Sequence, residues 1–390
     1  MHNKLTKPGI DNLIENKISL LHNKRIALIT NLASINYKNI PTSYLLYEII
    51  RDNLKAILVP EHGLYCFKEY MVKVESDSEP LLKIPIYSLY GDHIAPPNEL
   101  FQNIDALIFD LQDVGVRYYT YSSTLTLCME KCSILKKELI VLDRPNPLSG
   151  NIVQGNILEK KFQSFVGMLQ IPIRHGLTIG ELALLIKDYF NYDLPLTVIP
   201  MINWERNMFW DDTNLFWIQP SPNMPRWETT IYYPGCCLLE GTNISEGRGT
   251  TKPFEIIGAP WLNPFELASF LNELNLPYIS AIPIFYIPKS DKYQNEKCAG
   301  IQLCITNPSA DSYTAMLKII HFIYKKYKKY FNWRLPPYEF NNTILPFDLL
   351  NGTDTMRKLI EKDENIDDFL QLMQNKISSY YKIKEKYHLY

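Results

Sequence analysis

The stretch IDALIFD, residues 104–110, is a nearly continuous run of apolar residues that ends on an acid. Such a run is typical of a β-strand buried on both faces of a parallel sheet, because a strand with one solvated face alternates polar and apolar residues. Four similar runs surround it in the first half of the chain: KRIALIT (24–30), LKAILVP (54–60), IPIYSLY (84–90) and ELIVLDR (138–144). The pattern predicts a parallel sheet.

Segments of helical character lie between these runs and can serve as crossovers between parallel strands. They cover residues 42–52, 99–102 and 119–135. A further helix is predicted at TIGELALLIKDY (178–189), because its threonine precedes a glutamate by three residues, the spacing of a capping box. LPLTVIPM (194–201) adds another strand. The fold class of the first half is therefore α/β.

The second half of the chain differs from the first in composition and in periodicity. Residues 204–261 are rich in Trp, Pro and Gly and contain few periodic segments, which predicts a long connection that forms one side of a cleft. Beyond it, helical runs at 264–275 and 311–330 flank the strands AIPIFYIP (281–288) and AGIQLCIT (299–306), and residues 352–387 are predicted to be helical. A chain of 390 residues usually forms two domains. We predict an α/β domain at 1–212 and a second α/β domain at 213–390.

Composition narrows the class of protein. The formal net charge of −2 provides no basic field for nucleic acid or an anionic membrane. The seven cysteines include no CxxC pair, so neither a structural zinc nor a disulfide framework is expected. The sequence shows no apolar stretch of membrane-spanning length and no signal peptide. We expect a cytoplasmic protein, or a periplasmic or secreted one if the sequence lacks its export signal.

Acidic residues follow three of the predicted strands. Glu61 follows the second run, Asp110 and Asp113 follow the fourth, and Asp143 precedes Arg144 at the end of the fifth. Because the carboxyl ends of parallel strands meet at one edge, these side chains are expected to converge there. The alternative is that strand-end aspartates cap helices and tie loops.

Several common chemistries lack their motifs. The chain has no GxGxxG, no GxxxxGK[ST] and no GxSxG, so dinucleotide binding, P-loop and serine-hydrolase chemistry are not supported. The acids are suited to general acid–base catalysis, and glycosidic hydrolysis needs a pair of carboxyl groups. A metal-dependent hydrolase that uses Asp110, Asp113 and Asp143 is an alternative, and activity that survives a chelator would remove it.

Two further segments carry candidate binding residues. IPIRHGLTIGE places Arg174 and His175 just before a helix start. The stretch GTNISEGRG (241–249) has polar side chains between three glycines, and a plain turn does not need Glu and Arg beside its glycines. We therefore predict a binding loop there. The proline-rich PSPNMP (220–225) presets a second loop with little loss of entropy.

These stretches resemble the NamZ-type (YbbC-like) family of exo-β-N-acetylmuramidases, long catalogued as a domain of unknown function. The resemblance is carried in family order by PEHGL at 60, PIYSLYG at 85, FDLQDVGVRYYTY at 109, VLDRPNPLSG at 141, SFVGMLQIPIRHGLTIGELA at 164, PSPNMP at 220, YPGCCLLEGTNISEGRGTTKPFEIIGAPW at 233 and LLNGTD at 349. It covers nearly the whole chain, and the block at 233–261 is the most specific.

The resemblance implies that the domain at 1–212 is a Rossmann-like α/β domain and that the domain at 213–390 is a smaller α/β domain. It further implies a glycosidase that releases N-acetylmuramic acid from the non-reducing end of peptidoglycan fragments, in a cleft between the two domains. It implies that Glu61 is catalytic, and Glu246 is our second choice. One of these two is expected to protonate the leaving oxygen, and the other, or Asp113, to activate water or attack the anomeric carbon. Muramic acid carries a lactyl carboxylate that needs a cation, for which Arg144, Arg174 and Arg248 are candidates. The full set of predicted substrate-binding residues is His62, Arg144, Asn146, Arg174, His175, Asn223, Asn243 and Arg248. No metal and no cofactor are predicted, and the expected partners are peptidoglycan-derived amino sugars or muropeptides.

One segment departs from the family pattern. After EHG, relatives usually continue with a Gly-rich segment and Ala-Gly-Glu, whereas this chain has LYCFKEYMVKVES, with Met71 and Val72 where Gly and Glu are expected. The segment follows Glu61 directly. This departure motivates a second hypothesis, a catalytically silent protein that binds muropeptides or amino sugars on the same scaffold.

Overall fold

The computed structural model describes residues 4–75 and 77–390. Residues 1–3, where the predicted first domain begins, lie outside the described part, as does Ser76 at the end of the segment after Glu61.

The described residues of the first half form a sheet of seven strands. These are β1 Ile26–Ile29, β2 Leu54–Val59, β3 Asp77–Ser78, β4 Pro85–Ser88, β5 Ala106–Phe109, β6 Glu138–Leu142 and β7 Leu196–Ile199. Their spatial order is β3-β4-β2-β1-β5-β6-β7, and every neighbouring pair is parallel except β3 with β4. Without β3, this is the 3-2-1-4-5-6 order of a Rossmann sheet. The predicted α/β fold and its six strands are confirmed; β3, a two-residue exposed strand, has no sequence signal.

Ten α-helices lie among the described residues. They are α1 Gly9–Asn16, α2 Thr42–Ile50, α3 Tyr121–Leu135, α4 Ile179–Tyr189, α5 Thr229–Cys236, α6 Pro264–Glu273, α7 Ser312–Lys326, α8 Pro346–Asn351, α9 Thr355–Glu361 and α10 Asp367–Lys384. The capping box that opens α4 is present, with Thr178 and Glu181 bonded to each other's backbone. The segment 99–102 lies within a 3-10 helix, Asn98–Gln102, rather than an α-helix.

The second half contains a smaller antiparallel sheet in the order β8-β10-β9, formed by β8 Ile256–Ala259, β9 Ile279–Tyr286 and β10 Cys298–Ile305. The predicted β9 and β10 are confirmed. The stretch 204–261 holds more regular structure than its sequence predicts, because it contains β8 and the fully buried α5. The sequence of α5 includes Pro234 and Gly235, which obscure its helical pattern. Gly235 allows close packing, since a Cβ there would lie 2.1 Å from the carbonyl oxygen of Ser312.

The C-terminal end of the chain returns to the first sheet. The Tyr390 hydroxyl donates to Asp143 Oδ2 (2.7 Å), and the Tyr380 hydroxyl donates to the carbonyl of His175 (3.0 Å). The predicted domain boundary at 212/213 falls inside a 3-10 helix, Trp210–Thr213, and stays a prediction. Among the described residues, no helix has both the length and the apolarity needed to cross a membrane.

Candidate active site

A polar cavity lies where the loop after β2 meets loops of the second half of the chain. Its first wall comes from the sheet side, and its second from the loops around residues 220–254 and 338–339. The residues that line it are Glu61, His62, Tyr70, Tyr118, Tyr119, Thr120, Val166, Ser221, Asn223, Met224, Tyr233, Glu240, Arg248, Phe254, Tyr338 and Glu339. The cavity therefore combines three carboxyl groups, one guanidinium and many aromatic faces.

Glu61 projects into this cavity from the carboxyl end of β2. Its side chain is only 5% exposed, and both of its carboxylate oxygens accept hydrogen bonds. Oε1 accepts from the Met71 backbone N–H (3.2 Å), and Oε2 accepts from the Thr120 hydroxyl (2.9 Å). Glu61 is thus held in one orientation at the edge where the Rossmann topology places ligands.

A second carboxyl group, Glu339, lies beside Glu61. It comes from the loop between α7 and α8 and is also 5% exposed. The Tyr90 hydroxyl donates to Glu339 Oε2 (2.8 Å). Burial, followed by the charges of Glu61 and Glu339, raises the pKa of Tyr90, so this hydroxyl is close to both carboxyl groups.

The environment of Glu339 favours its protonated form. Burial, followed by the charge of Glu61, raises the pKa of Glu339 well above its ordinary value, and the hydrogen bond from Tyr90 and the charge of Arg248 offset this only in part. Two carboxyl groups that share a buried site cannot both ionise without a large electrostatic cost. The cavity therefore holds two neighbouring carboxyl groups, and Glu339 is the one whose surroundings raise its pKa.

Arg248 forms the cationic part of the cavity wall. Its Nη2 donates to Glu240 Oε1 (2.6 Å), whose Oε2 accepts from the Tyr338 hydroxyl (2.7 Å). The guanidinium carbon lies 4.0 Å from the ring centre of Tyr70 and 5.0 Å from that of Phe254. Burial alone would raise the pKa of Glu240, but the charge and hydrogen bond of Arg248 lower it overall. The pair stays ionised and presents a rigid cation between two aromatic rings.

Glu246 lies behind this wall and is not among the lining residues. Its Oε2 accepts from Lys292 Nζ (2.8 Å), and its Oε1 lies 3.2 Å from Arg248 Nε. Lys292 also donates to the backbone carbonyls of Leu239 and Ile244, so the ion pair ties the loop 241–249 to its own start. The structure therefore places Glu246 in a buried ion pair next to the site.

Two other predicted residues, His62 and Asn223, do line the cavity. His62 is buried, and its Nδ1 lies 2.7 Å from the Lys68 carbonyl. Burial lowers the pKa of His62 despite the charge of Glu61, which keeps the ring neutral at neutral pH. Asn223 donates to Glu69 Oε2 (2.8 Å) and thereby joins the proline-rich loop to the segment that follows Glu61.

The strand-end aspartates and Arg144 are engaged elsewhere. Arg144 Nη2 donates to Asp110 Oδ2 (2.9 Å), and both side chains are fully buried. Asp143 accepts from the Thr178 hydroxyl (2.8 Å) as well as from Tyr390, and burial raises its pKa to about 7. Neither Arg144 nor either aspartate lines the cavity. These residues tie loops and a helix start to the sheet.

Asp113 and His175 form a second buried cluster outside the lining of the cavity. Asp113 Oδ2 accepts from the Gly115 backbone (2.7 Å) and lies 3.7 Å from His175 Nε2. Asn146 packs against Gly115 and donates to the Leu177 carbonyl (2.9 Å). This cluster supports the turn after β5.

Arg174 and Asn243 also bind mainly to the protein backbone. Arg174 Nη1 donates to the Pro308 carbonyl (3.0 Å), and burial lowers its pKa to about 9. Asn243 donates to the Tyr330 carbonyl (2.7 Å) and borders a neighbouring cavity that shares Tyr70 with the first. Of the eight predicted substrate-binding residues, the structure thus brings together His62, Asn223 and Arg248 around Glu61.

The altered segment after Glu61 still reaches the site through its backbone. Met71 has a φ of 57°, in the left-handed region that favours glycine, the residue that the family resemblance leads one to expect there. Its backbone N–H bonds to Glu61, a contact that any residue except proline can make. The change to methionine therefore adds backbone strain but keeps this hydrogen bond.

Glu339, Tyr90 and Glu240 are site residues that the sequence analysis missed. Tyr90 ends a recognised strand and Glu240 lies in the specific block at 233–261, so a search for polar residues in those blocks could have found them. Glu339 sits in PPYEF, which carries no periodic pattern and no strand-end position. Only the tertiary fold brings it beside Glu61.

The three aspartates of the metal-dependent alternative do not share one site. Asp110 is paired with Arg144, Asp113 with the turn at Gly115, and Asp143 with Tyr390. Across residues 4–75 and 77–390, no group of three or more His, Cys, Asp and Glu side chains is arranged to hold a metal ion.

The fold and the site together define a class of protein. The sheet is of the Rossmann type, and its strand edge carries buried carboxyl groups in an aromatic cleft, as expected of a glycosidase. Family models described as exo-beta-N-acetylmuramidase NamZ match residues 26–228 (N-terminal part) and 231–390 (C-terminal part). The chain belongs to this family.

Particular relatives agree with this assignment. The chain is 41% identical over 386 residues to the peptidoglycan beta-N-acetylmuramidase NamZ of Bacillus subtilis (strain 168), a match that covers 98% of this chain and 91% of that protein. Two crystal structures of DUF1343 family proteins from Bacteroides fragilis NCTC 9343 have the same fold. One has a TM-score of 0.88 at 31% identity and the other 0.76 at 28%, and each match covers 99% of both chains.

Proposed function

We propose that this protein is an exo-β-N-acetylmuramidase, a glycosidase that hydrolyses the bond after a non-reducing terminal N-acetylmuramic acid in peptidoglycan fragments. Family membership and the 41% identity to the Bacillus subtilis enzyme support this reaction. The observation that carries the proposal is the pair of buried carboxyl groups, Glu61 and Glu339, in one aromatic cavity. Glycosidic hydrolysis needs such a pair on either side of the bond.

The rest of the cavity is suited to an amino sugar with a negative charge. Tyr70, Tyr119 and Tyr233 offer apolar faces with polar edges, which pack well against sugar rings. Arg248 supplies the cation that the lactyl carboxylate requires, and its position between Tyr70 and Phe254 fixes that cation in space. We propose that Arg248, rather than Arg144 or Arg174, binds the lactyl group.

The direct test is turnover of chromogenic β-N-acetylmuraminide by the wild-type protein, with the β-N-acetylglucosaminide as comparison. We expect hydrolysis of the first substrate at a rate well above that of the second, because only muramic acid offers the carboxylate. Binding of N-acetylmuramic acid without any turnover would instead support the silent binding protein that Met71 and Val72 suggested.

Replacing Arg248 with Gln is expected to reduce kcat/KM on the muraminide by roughly tenfold or more, since a hydrogen bond to a charged group contributes about 1.5–3 kcal/mol. Gln can still donate to Glu240, so the buried carboxylate keeps a partner. The same variant should change kcat/KM on the glucosaminide much less. Equal losses on both substrates would mean that Arg248 has only a structural role.

A further inference from the structure

We propose that Glu339 is the proton donor of the reaction and that Glu61 is the carboxylate that acts on the anomeric carbon or on the attacking water. This division of roles rests on the proposed function, since it assigns the chemistry within the same cavity. It also replaces Glu246, the second choice from sequence, because Glu246 is bound to Lys292 outside the cavity lining.

The hydrogen bonds of the two carboxyl groups differ in a way that separates their roles. Both oxygens of Glu61 are occupied as acceptors, by Met71 and by Thr120. Glu339 accepts one hydrogen bond, from Tyr90 to Oε2, and its Oε1 accepts none from the described residues. A proton on Oε1 of Glu339 therefore disturbs no existing hydrogen bond, whereas a proton on Glu61 has to compete with a donor already in place.

The electrostatic surroundings agree with this division. The charged and titratable groups that face Glu339 include Glu61, Tyr90, Glu240, Tyr338 and Arg248. Burial, followed by the charge of Glu61, raises the pKa of Glu339. An acid with a raised pKa keeps its proton to higher pH and can give that proton to a leaving group. Tyr90 holds the carboxyl group in place by bonding the other oxygen.

The reaction balances with water as the only co-reactant. As the bond from the anomeric carbon to the leaving oxygen breaks, its electron pair stays on that oxygen, which takes the proton from Glu339. The water that completes the reaction gives its hydroxyl to the anomeric carbon. Its remaining proton goes to Glu61 if water attacks directly, or back to Glu339 if Glu61 first forms a glycosyl ester.

The test compares two substrates that share the muramic acid ring and whose leaving groups differ in how much protonation they need. The disaccharide of N-acetylmuramic acid and N-acetylglucosamine releases a poor leaving group, whereas the 2,4-dinitrophenyl muraminide releases one that departs without a proton. For Glu339→Gln we expect kcat/KM to fall about 10²–10⁴-fold on the disaccharide and by less than about tenfold on the dinitrophenyl substrate. On the disaccharide, wild-type kcat/KM should decline at alkaline pH as Glu339 loses its proton. We expect this decline to be absent in Glu339→Gln.

Two further variants keep the outcome interpretable. Glu339→Asp keeps an ionisable acid and should regain part of the activity on the disaccharide. Glu240→Gln removes the third carboxyl group of the cavity, to which we assign no proton transfer. This variant should change kcat/KM on both substrates by similar factors. Binding of N-acetylmuramic acid, measured by calorimetry, verifies that each variant has folded with an intact cavity.

Equal losses of Glu339→Gln on both substrates, or a near-normal rate on the disaccharide, would overturn the assignment. A wild-type protein that cleaves neither substrate would instead contradict the proposed function itself. The two failures are therefore distinguished by the wild-type measurement.

Discussion

Glu61→Gln is expected to lose at least about a hundredfold in kcat on the muraminide, the usual contribution of a positioned carboxyl group to acid, base or nucleophilic catalysis. The substitution preserves size and can preserve both hydrogen bonds. The amide oxygen can still accept from the Met71 backbone, and the Thr120 hydroxyl can turn to accept from the amide nitrogen. We therefore expect the unfolding midpoint to change little.

The comparison variant for this experiment is Glu246→Gln, which removes the carboxylate that is the second choice from the sequence. Glu246 bonds Lys292 in a buried ion pair, so Glu246→Gln should lower the free energy of unfolding. The folded fraction of this variant should keep most of the wild-type rate. A near-normal rate for Glu61→Gln, together with a large loss of rate in folded Glu246→Gln, would reverse the assignment.

Arg144→Met is expected to lower the free energy of unfolding by about 3–5 kcal/mol, because it leaves the Asp110 carboxylate buried without its partner. Urea denaturation followed by circular dichroism measures this change. If Arg144 were instead a substrate-binding residue, the variant would lose affinity for N-acetylmuramic acid with little loss of stability. The two outcomes separate a structural role from the binding role that the sequence suggests.

The chain offers a matched control for this variant. Arg25 makes the same bidentate contact with Asp105, but these side chains are 42% and 39% exposed. Solvent screens such a pair, so Arg25→Met should change stability only slightly. A loss of stability in Arg144→Met no larger than that in Arg25→Met would contradict the account of the buried pair.

The sequence predicted the sheet well and the site only in part, for physical reasons. Strands such as IDALIFD are buried on both faces, so their composition alone identifies them. The sequence pattern did not predict the helix α5, because Pro234 and Gly235 interrupt its helical periodicity. Packing against α7 stabilises this helix in the folded protein.

The site residues were harder to predict from the sequence than the strands. Glu61 was predictable because strand ends in a Rossmann sheet face the ligand. Arg144 occupies an equivalent strand end, yet it is buried against Asp110 and does not line the cavity, a placement that only the tertiary structure reveals. Glu339 lies 278 positions further along the chain than Glu61, in a loop without any regular pattern. No local signal connects two residues at that separation.

The most direct test of the central claim is a crystal structure of Glu61→Gln with the disaccharide of N-acetylmuramic acid and N-acetylglucosamine. We expect the muramic acid ring in the cavity, with its lactyl carboxylate at Arg248 and its glycosidic oxygen within hydrogen-bond distance of Glu339. Sugar bound at the cluster around Asp113 and His175, or at Arg144, with the Glu61 cavity empty, would contradict it.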